Sequence, residues 1–239
     1  MLVSGSVAMK PARMVDPSEP IDLVGEPPRF VGRGGEKLDA AVERFGIGVA
    51  GKRCLDAGAS TGGFTDCLLQ RGATEVVAVD VGYGQLHERL RGDDRVRNVE
   101  RTNIRSLTPD DIDGAVDVLV ADLSFISLRL VMAALVALAR PAANLVLLVK
   151  PQFEAGRQEA ARGRGVITDA QIWRRVLGEV RAAAASQGAA MMGAMPSPIT
   201  GAEGNVEFLV HCRVGATEAL DDVALDEVVA AAAHVLHRS

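Results

Sequence analysis

The sequence has 239 residues, of which 48% are hydrophobic and 24% are charged. This balance is typical of a globular protein with room for one α/β domain and a small additional part. The formal net charge is -5, which argues against a protein that binds nucleic acid through an overall positive charge. The three cysteines form no CxxC pair, which argues against a disulfide framework or a zinc site and predicts no bound metal.

The sequence shows no segment suited to export or to membrane insertion. Its N-terminus lacks the layout of a signal peptide. The uncharged stretch 182–202 contains Gln187, Thr200 and two prolines, so it is too polar and too interrupted to span a bilayer. We therefore expect a cytoplasmic protein that is not inserted in a membrane.

The first 36 residues are predicted to precede the main domain. Residues 1–24 are expected to form short extended pieces separated by turns, because Gly5 and three prolines, Pro11, Pro17 and Pro20, interrupt them. Residues 25–36 are predicted to be a linker. From Lys37 to Phe45, apolar residues recur at helical spacing, so the main domain is predicted to cover residues 37–239.

From residue 53 onward, predicted strands and helices alternate. The predicted strands are Arg53–Asp56, Glu75–Val81, Val96–Glu100, Val116–Ala121, Asn144–Val149 and Val206–Cys212, the last closing the sheet. The predicted helices pass through Leu68 and Leu69 and span Leu128–Ala139, Ile172–Ser186 and Leu225–Leu236. Two of the strands, VDVLVA and NLVLLV, are continuous apolar runs, as in strands buried on both faces. This order predicts an α/β fold with a mainly parallel, doubly wound, Rossmann-like sheet.

A glycine-rich turn follows the first of these strands. Residues 56–63 have the pattern D-x-G-x-x-x-G-G, in which glycines let the backbone approach a ligand at the carboxyl edge of the sheet. The spacing differs from the dinucleotide pattern G-x-G-x-x-G and suits S-adenosylmethionine, with Asp56 near the ammonium group of the ligand. Asp80, at the end of the next strand, is placed to accept hydrogen bonds from ribose hydroxyls. A nicotinamide cofactor is the alternative on these two features alone.

Two ionisable residues follow neighbouring apolar strands. Asp122 comes after VDVLVA and Lys150 after NLVLLV. Strand ends at the carboxyl edge of an open α/β sheet are where such proteins place their sites. An aligned lysine can act as a general base in methyl transfer to a hydroxyl, since the thioether leaving group needs no acid.

Six segments taken together resemble the TlyA family of rRNA 2′-O-methyltransferases, which are related to the FtsJ-type ribose methyltransferases. They are RGGEKL (33–38), CLDAGASTGGFTDCLLQRGA (54–73), VVAVDVGYGQL (76–86), ADLSFISL (121–128), LLVKPQFEAGR (147–157) and SPITGAEGNVEFL (197–209). The resemblance extends in order from residue 3 to residue 238. It implies a seven-stranded methyltransferase fold, S-adenosylmethionine as cofactor and ribosomal RNA within ribosomal subunits as substrate, with cytidine as the modified nucleotide.

The resemblance also implies a catalytic tetrad of Lys37, Asp122, Lys150 and Glu207. Lys150 would be the base that faces the 2′-hydroxyl. Asp122 and Glu207 would orient the lysines, and Lys37 would help to lower the pKa of Lys150. Glu203 is an alternative to Glu207, which is preferred because it is predicted to lie in the strand.

Further site residues are implied by the same resemblance. Asn103 is expected near the adenine, and Arg29 and Arg33 are expected to contact RNA phosphates. The expected cofactor-binding set is Asp56, Gly58, Ser60, Gly62, Gly63, Phe64, Asp80, Asn103 and Asp122.

The first residues resemble part of a further domain. Residues 1–24 are similar to the closing β-part of an S4-type RNA-binding domain without its leading helices. We expect this remnant to be poorly ordered or to lie against the main domain, and the chain to dock weakly on ribosomal subunits. Met1 as an internal residue of a longer chain is a related interpretation.

Two other classes of function stay open at this point. The historical annotation of the family suggests a membrane-lytic hemolysin, for which the sequence offers no apolar span, cationic amphipathic helix or secretion signal. The other class is a ribosome-binding protein that has lost its activity. The presence of all four tetrad residues argues against it.

Overall fold

The structure is a computed structural model that describes residues 2–7, 14–22 and 28–236. Near the N-terminus, three two-residue strands form a small antiparallel sheet: β1 (Leu2–Val3), β2 (Ser6–Val7) and β3 (Ile21–Asp22), in the order β2-β1-β3. The predicted short extended pieces are confirmed for this part of the chain. Pro11 and the first part of the predicted linker, residues 25–27, lie outside the described residues.

The rest of the described chain forms one large α/β unit. Its strands are β4 (Arg53–Ala57), β5 (Glu75–Val79), β6 (Val96–Val99), β7 (Val116–Ala121), β8 (Ala139–Val149), β9 (Ala189–Pro196) and β10 (Phe208–Val214). Its helices are α1 (Gly34–Phe45), α2 (Gly63–Gln70), α3 (Glu88–Arg91), α4 (Leu128–Ala137), α5 (Pro151–Glu154), α6 (Arg157–Arg162), α7 (Ala170–Ser186) and α8 (Asp222–Leu236). Three short 3₁₀ turns connect some of them.

The large sheet has seven strands in the order β6-β5-β4-β7-β8-β10-β9. Strands β4 to β8 pair with one another in parallel, and β10 runs antiparallel to both β8 and β9. The predicted mainly parallel, seven-stranded, doubly wound sheet is therefore confirmed. Since parallel strands end at one edge, the segments that follow β4, β5, β7 and β8 meet there.

One strand was not predicted, and this changes how the sheet ends. Strand β9 has the sequence AAMMGAMP, which contains no β-branched residue and no polar alternation, so it lacks the usual pattern of a strand. It pairs with β10 along its length, and this pairing determines its structure. The prediction that residues 206–212 close the sheet is wrong, because β10 lies inside the sheet and β9 forms its edge.

Some element boundaries also differ from the predictions. Helix α1 begins at Gly34 rather than Lys37. Its second residue, Gly35, lies directly against the Phe30 ring, where any larger residue would collide. Strand β10 begins at Phe208, so Glu207 lies just before the strand and not within it. Strand β8 begins at Ala139, five residues before its predicted start.

Both faces of the sheet are buried, as the continuous apolar runs predicted. Neighbouring residues of β8 alternate between the two sides, with Leu147 in one apolar cluster and Leu148 in the other. The larger cluster includes residues of α4, α7 and α8, and the smaller includes residues of α1 and α2. Trp173 packs edge-on against Phe208 with ring centroids 5.9 Å apart. Among the described helices, none is long and apolar enough to cross a membrane.

Candidate active site

Two adjoining cavities lie at the carboxyl edge of the sheet. The first has a volume of about 360 Å³ and the second about 370 Å³. Both are lined by five shared residues: Gly58, Ser60, Asp122, Ser124 and Phe125. The two cavities therefore adjoin each other at the loops that follow β4 and β7.

The first cavity brings together the four residues of the predicted tetrad, which form two ion pairs. The Lys150 Nζ lies 2.6 Å from Asp122 Oδ1, and the Lys37 Nζ lies 2.5 Å from Glu207 Oε2. All four line the cavity. The Lys150 amine also donates a hydrogen bond of 2.9 Å to the Ser124 hydroxyl, so the amine is fixed by two neighbours on the loop after β7.

Each tetrad side chain is positioned by a different element. Asp122 directly follows β7, and its backbone N–H donates to the Ala57 carbonyl at 3.0 Å. Lys150 directly follows β8 and precedes Pro151, which starts α5. Lys37 lies in the first turns of α1, and Glu207 ends the turn that leads into β10.

The Lys37–Glu207 pair is the more deeply buried of the two. The exposed fractions of the two side chains are 10% and 3%. Removing two charges from water costs free energy, and close pairing offsets that cost. Separating the two side chains would leave each charge unpaired inside the protein, which is less favourable than separating an exposed pair. Glu203, the alternative to Glu207, is exposed and lines neither cavity.

The glycine loop is shaped by close backbone contact. Gly58 has φ +86°, and a Cβ there would lie 2.5 Å from the carbonyl oxygen of Asp122, so only glycine fits between the two loops. Ser60, Gly63 and Phe64, which are expected to bind the cofactor, line the first cavity. Gly62 lines neither cavity and instead packs against the Leu90 side chain.

Asp80 joins the glycine loop to the next strand. Its two carboxylate oxygens accept hydrogen bonds from the backbone N–H groups of Ser60 (2.8 Å) and Gly82 (2.7 Å). It lines the second cavity together with Asn103. The remaining walls are mainly apolar, from Val79, Val81, Ile104, Leu123 and Ile126. A carboxylate and an amide among apolar walls suit a nucleoside, because a carboxylate binds ribose hydroxyls and apolar walls pack against the nucleobase.

Asp56, which is expected near the ammonium group of the cofactor, is an internal residue of the structure. It is fully buried and lines neither cavity. Its Oδ2 accepts a 2.7 Å hydrogen bond from the Thr65 hydroxyl, whereas its Oδ1 has no hydrogen-bond partner among the described residues. Burial, with a smaller contribution from the negative charges of Asp122 and Asp80, raises the pKa of Asp56 to about 7.

The two arginines predicted to contact RNA differ in their surroundings. Arg33 is exposed and lines the first cavity. Arg29 lines neither cavity, because its guanidinium binds both oxygens of Asp39 at 2.5 and 3.2 Å. Asp39 also accepts a hydrogen bond from Arg71, so the structure gives Arg29 a role in holding α1.

Several residues of the site were not among the predicted site residues. Phe125 is 91% exposed with φ +63°, and its ring centroid lies 5.1 Å from that of Phe153. Ser124 and Gln152 line the first cavity as well. These residues lie in the segments ADLSFISL and LLVKPQFEAGR, which carry the family resemblance, but no spacing rule identifies which loop side chains face a cavity. Among the described residues, no cluster of His, Cys, Asp or Glu is suited to hold a metal ion.

The fold and the two cavities define an enzyme of the Rossmann-like class that binds a nucleoside-containing cofactor at the carboxyl edge of its sheet. The FtsJ-like methyltransferase family matches residues 30–214. The chain belongs to this family, which favours a methyl donor over the nicotinamide alternative.

Individual relatives agree with this assignment. A Mycobacterium tuberculosis protein named 16S/23S rRNA (cytidine-2'-O)-methyltransferase TlyA is 49% identical over 228 residues, which cover 95% of this chain and 85% of the relative. Hemolysin A of Brachyspira hyodysenteriae is 38% identical and covers 88% of each chain. A solved structure from Streptococcus thermophilus, described as a candidate hemolysin, is 42% identical with a TM-score of 0.85, covering 92% of this chain and 80% of that one.

Proposed function

We propose that the protein transfers a methyl group from S-adenosylmethionine to the ribose 2′-hydroxyl of a cytidine in ribosomal RNA. The observation that carries the proposal is the Lys150–Asp122 ion pair, which lines a cavity that adjoins a second cavity with walls suited to a nucleoside. The proposal also draws on the name of the Mycobacterium tuberculosis relative, which specifies cytidine-2'-O methylation of 16S and 23S rRNA.

The residues present fit this cofactor. Asp80 would accept hydrogen bonds from the ribose hydroxyls, and Asn103 would lie near the adenine. Gly58, which shapes the wall between the cavities, and Ser60 would contact the methionine portion. When bound, the cofactor supplies an electrophilic methyl group on a sulfonium.

The protein's own residues would then handle the proton and the alignment. In its neutral form the Lys150 amine would accept the proton that the 2′-hydroxyl gives up when it takes the methyl group, and would so act as the base. Asp122 and Ser124, at 2.6 and 2.9 Å from the amine, orient it. The Lys37–Glu207 pair adds a second charged wall to the cavity, and water exclusion by these close contacts strengthens the fields that act there.

RNA would approach through exposed arginines at the same edge, although the net charge is -5. Within the described ranges, most arginines are paired with carboxylates, but several are exposed and form no ion pair: Arg33, Arg44, Arg101, Arg105, Arg162, Arg164 and Arg213. Of these, Arg33 lines the first cavity, and Arg105 lies two residues after Asn103, which lines the second. Unneutralised guanidinium groups are suited to phosphates, so we infer that the local charge, not the total, guides RNA.

The likeness of residues 1–24 to the closing part of an S4-type RNA-binding domain adds a second candidate RNA contact in the small sheet. Residues 37–239 would form the methyltransferase domain and residues 25–36 the connection. A substrate within ribosomal subunits implies that the protein works in the cytoplasm.

The test is methylation of ribosomal subunits from a strain that lacks the modification, with isotope-labelled S-adenosylmethionine and mass-spectrometric mapping of the product. Lys150→Ala should lower turnover by at least about 100-fold while leaving cofactor affinity nearly unchanged, because a base acts only in the transition state. Lys150→Arg should also fail, since a guanidinium does not release its proton near neutral pH. Lys52→Ala, at an exposed lysine before β4, is the matched control and should behave as wild type.

Two results would contradict the proposal. Substantial activity of Lys150→Arg would place the base elsewhere. Absence of any labelled ribose, together with leakage from liposomes exposed to the protein, would support the hemolysin interpretation instead.

A further inference from the structure

Two loops carry the groups that face the first cavity. The Asp122 loop (residues 122–127) follows β7, and the Lys150 loop (residues 150–154) follows β8. At the cavity, they touch through the Lys150–Asp122 ion pair, the Lys150–Ser124 hydrogen bond and the Phe125–Phe153 ring contact. All three contacts depend on how the two loops are placed relative to each other.

A buried carboxylate connects the same two loops away from the cavity. Glu154, the last residue of the Lys150 loop, is 2% exposed and lines neither cavity. Its Oε2 accepts a 2.5 Å hydrogen bond from the Ser127 hydroxyl, and its Oε1 accepts a 2.6 Å hydrogen bond from the Leu128 N–H. One side chain thus binds both the end of the Asp122 loop and the first residue of α4.

Arg129 adds a third connection from the same helix. Its Nη2 donates to the Glu154 carbonyl oxygen at 2.8 Å, and its Nε lies 3.5 Å from Glu154 Oε2. Burial raises the pKa of Glu154, while the hydrogen bonds from Ser127, Leu128 and Arg129 favour its charged form. Hydrogen bonds to a charged acceptor are about twice as strong as neutral ones, so these contacts hold the loops more firmly than van der Waals packing alone.

Glu154 is also linked rigidly to the proposed base. Its N–H donates to the Lys150 carbonyl at 3.2 Å across the single turn of α5. The strands beneath do not provide this connection, because the pairing of β7 with β8 stops at Ala121 and Leu147. Beyond that point, the hydrogen bonds, ion pairs and ring contacts that join the two loops among the described residues are those at the cavity and those of Glu154.

We propose that Glu154 is a positioning residue for the methyl transfer: it holds the Lys150 loop against the Asp122 loop, so that the Lys150 amine is aligned with the reacting hydroxyl. The predicted effect on methyl transfer rests on the proposed function. The predicted effect on the two loops rests on the contacts of Glu154 alone. Glu154 does not touch the substrate, so its loss should lower kcat more than it weakens cofactor binding.

The experiment compares Glu154→Ala and Glu154→Gln with wild type. Glutamine can still accept from Leu128 and donate to Ser127, so it should keep most of the connection, whereas alanine removes it. Glu179→Gln is the matched control, because Glu179 binds the same Arg129 at 2.7 Å but lies on α7, outside both loops. Single-turnover methyl transfer at saturating cofactor and RNA, cofactor affinity by calorimetry and amide hydrogen exchange of both loops are measured on each folded variant.

For Glu154→Ala, single-turnover rates should fall at least about 10-fold, as small misplacements of a reacting group cost factors of this order or more. Cofactor affinity should change less than about three-fold, and exchange should speed up in both loops together. Glu154→Gln should be intermediate and Glu179→Gln unchanged. If Glu154→Ala does not fold, Glu154→Gln is used for the test. It should then show faster amide exchange in both loops and a lower rate of methyl transfer than Glu179→Gln.

The outcomes separate this inference from the proposed function. If wild type methylates no ribose, the proposed function fails, while coupled exchange in the two loops still tests the connection through Glu154. The positioning role would be overturned if amide hydrogen exchange of both loops in Glu154→Ala is the same as in wild type. It would also be overturned if the enzyme is active and Glu154→Ala transfers methyl groups at a rate within about two-fold of wild type.

Discussion

The buried Asp56 carboxyl should make the stability of the protein fall as the pH rises. Its pKa is raised from 3.8 to about 7 by burial, so the folded state holds a proton that the unfolded chain releases near pH 4. A group of this kind contributes stability that is fully present below its unfolded pKa and is lost as the pH rises through its folded pKa. The relevant window therefore runs from about pH 4 to about pH 8.

The magnitude follows from the shift. About three pKa units correspond to about 4 kcal/mol at alkaline pH, at about 1.4 kcal/mol per unit. Between about pH 5 and about pH 8.5, the expected loss is about 3 kcal/mol of the free energy of unfolding. Asp56→Asn removes this titration and keeps an oxygen for the Thr65 hydroxyl, so the variant should lack this loss and be the more stable protein at about pH 8.5.

Urea unfolding of both proteins across this range is the measurement. The comparison isolates Asp56, because other shifted groups, such as Glu154 and His211, are present in both proteins and cancel. Asp39→Asn is a control of a different kind: burial raises the pKa of Asp39, but Arg29 and Arg71 lower it further, below its usual value. The stability that such a group contributes is lost only as the pH falls below about 4, so the curves of this variant and of wild type should run parallel across the measured range. Parallel pH curves for wild type and Asp56→Asn would refute the reasoning.

The same titration tests the expected place of Asp56 near the ammonium group of the cofactor. A bound cation nearby favours the charged carboxylate. Saturating S-adenosylmethionine should then reduce the difference between the two pH curves. A difference that the cofactor does not change would mean that Asp56 serves the loop and not the ligand.

Two further substitutions test the geometry of the site. Glu207→Gln leaves Lys37 buried without its carboxylate, so the free energy of unfolding, measured in urea, should fall by about 3 to 5 kcal/mol. The double variant Lys37→Met with Glu207→Leu should recover most of this loss, because it removes both charges. A loss below about 1 kcal/mol for Glu207→Gln would contradict the buried pairing. Gly58→Ala should lower Tm by more than Gly46→Ala, because both have positive φ but only Gly58 would place its Cβ against backbone; equal thermal shifts would contradict the close approach.

The parts of the fold with a strong local pattern could be predicted from the sequence. Strands β7 and β8 are continuous apolar runs between turn residues, and the structure buries both on each face. Strand β9 has no such pattern, since Ala, Met and Gly are common in helices and turns as well. Its structure depends on hydrogen bonds to β10, and pairing of that kind is not encoded in a single segment.

The site divides in the same way. Asp122 and Lys150 could be predicted to meet because they follow adjacent strands of a parallel sheet. Lys37 and Glu207 are 170 positions apart, and neither follows a strand, so local patterns do not indicate their pairing; the resemblance to a family implied it. The burial of Asp56 could not be predicted, since an acid at the end of a strand is compatible with both a ligand contact and an internal position.

Two glycine-rich segments contact each other where the chain around the start of α1 meets the glycine loop. A Cβ at Gly63 would lie 3.0 Å from the Gly35 nitrogen and 3.1 Å from the Gly32 oxygen, so the backbone before Lys37 rests directly on the glycine loop. The N–H of Val31 strengthens this contact by donating to Asp66 of α2 at 2.8 Å. Glycines in both segments allow this approach, and through it the start of α1, with Lys37, is fixed to the loop that would hold the cofactor. The Lys37–Glu207 ion pair therefore depends on this contact as well as on the sheet.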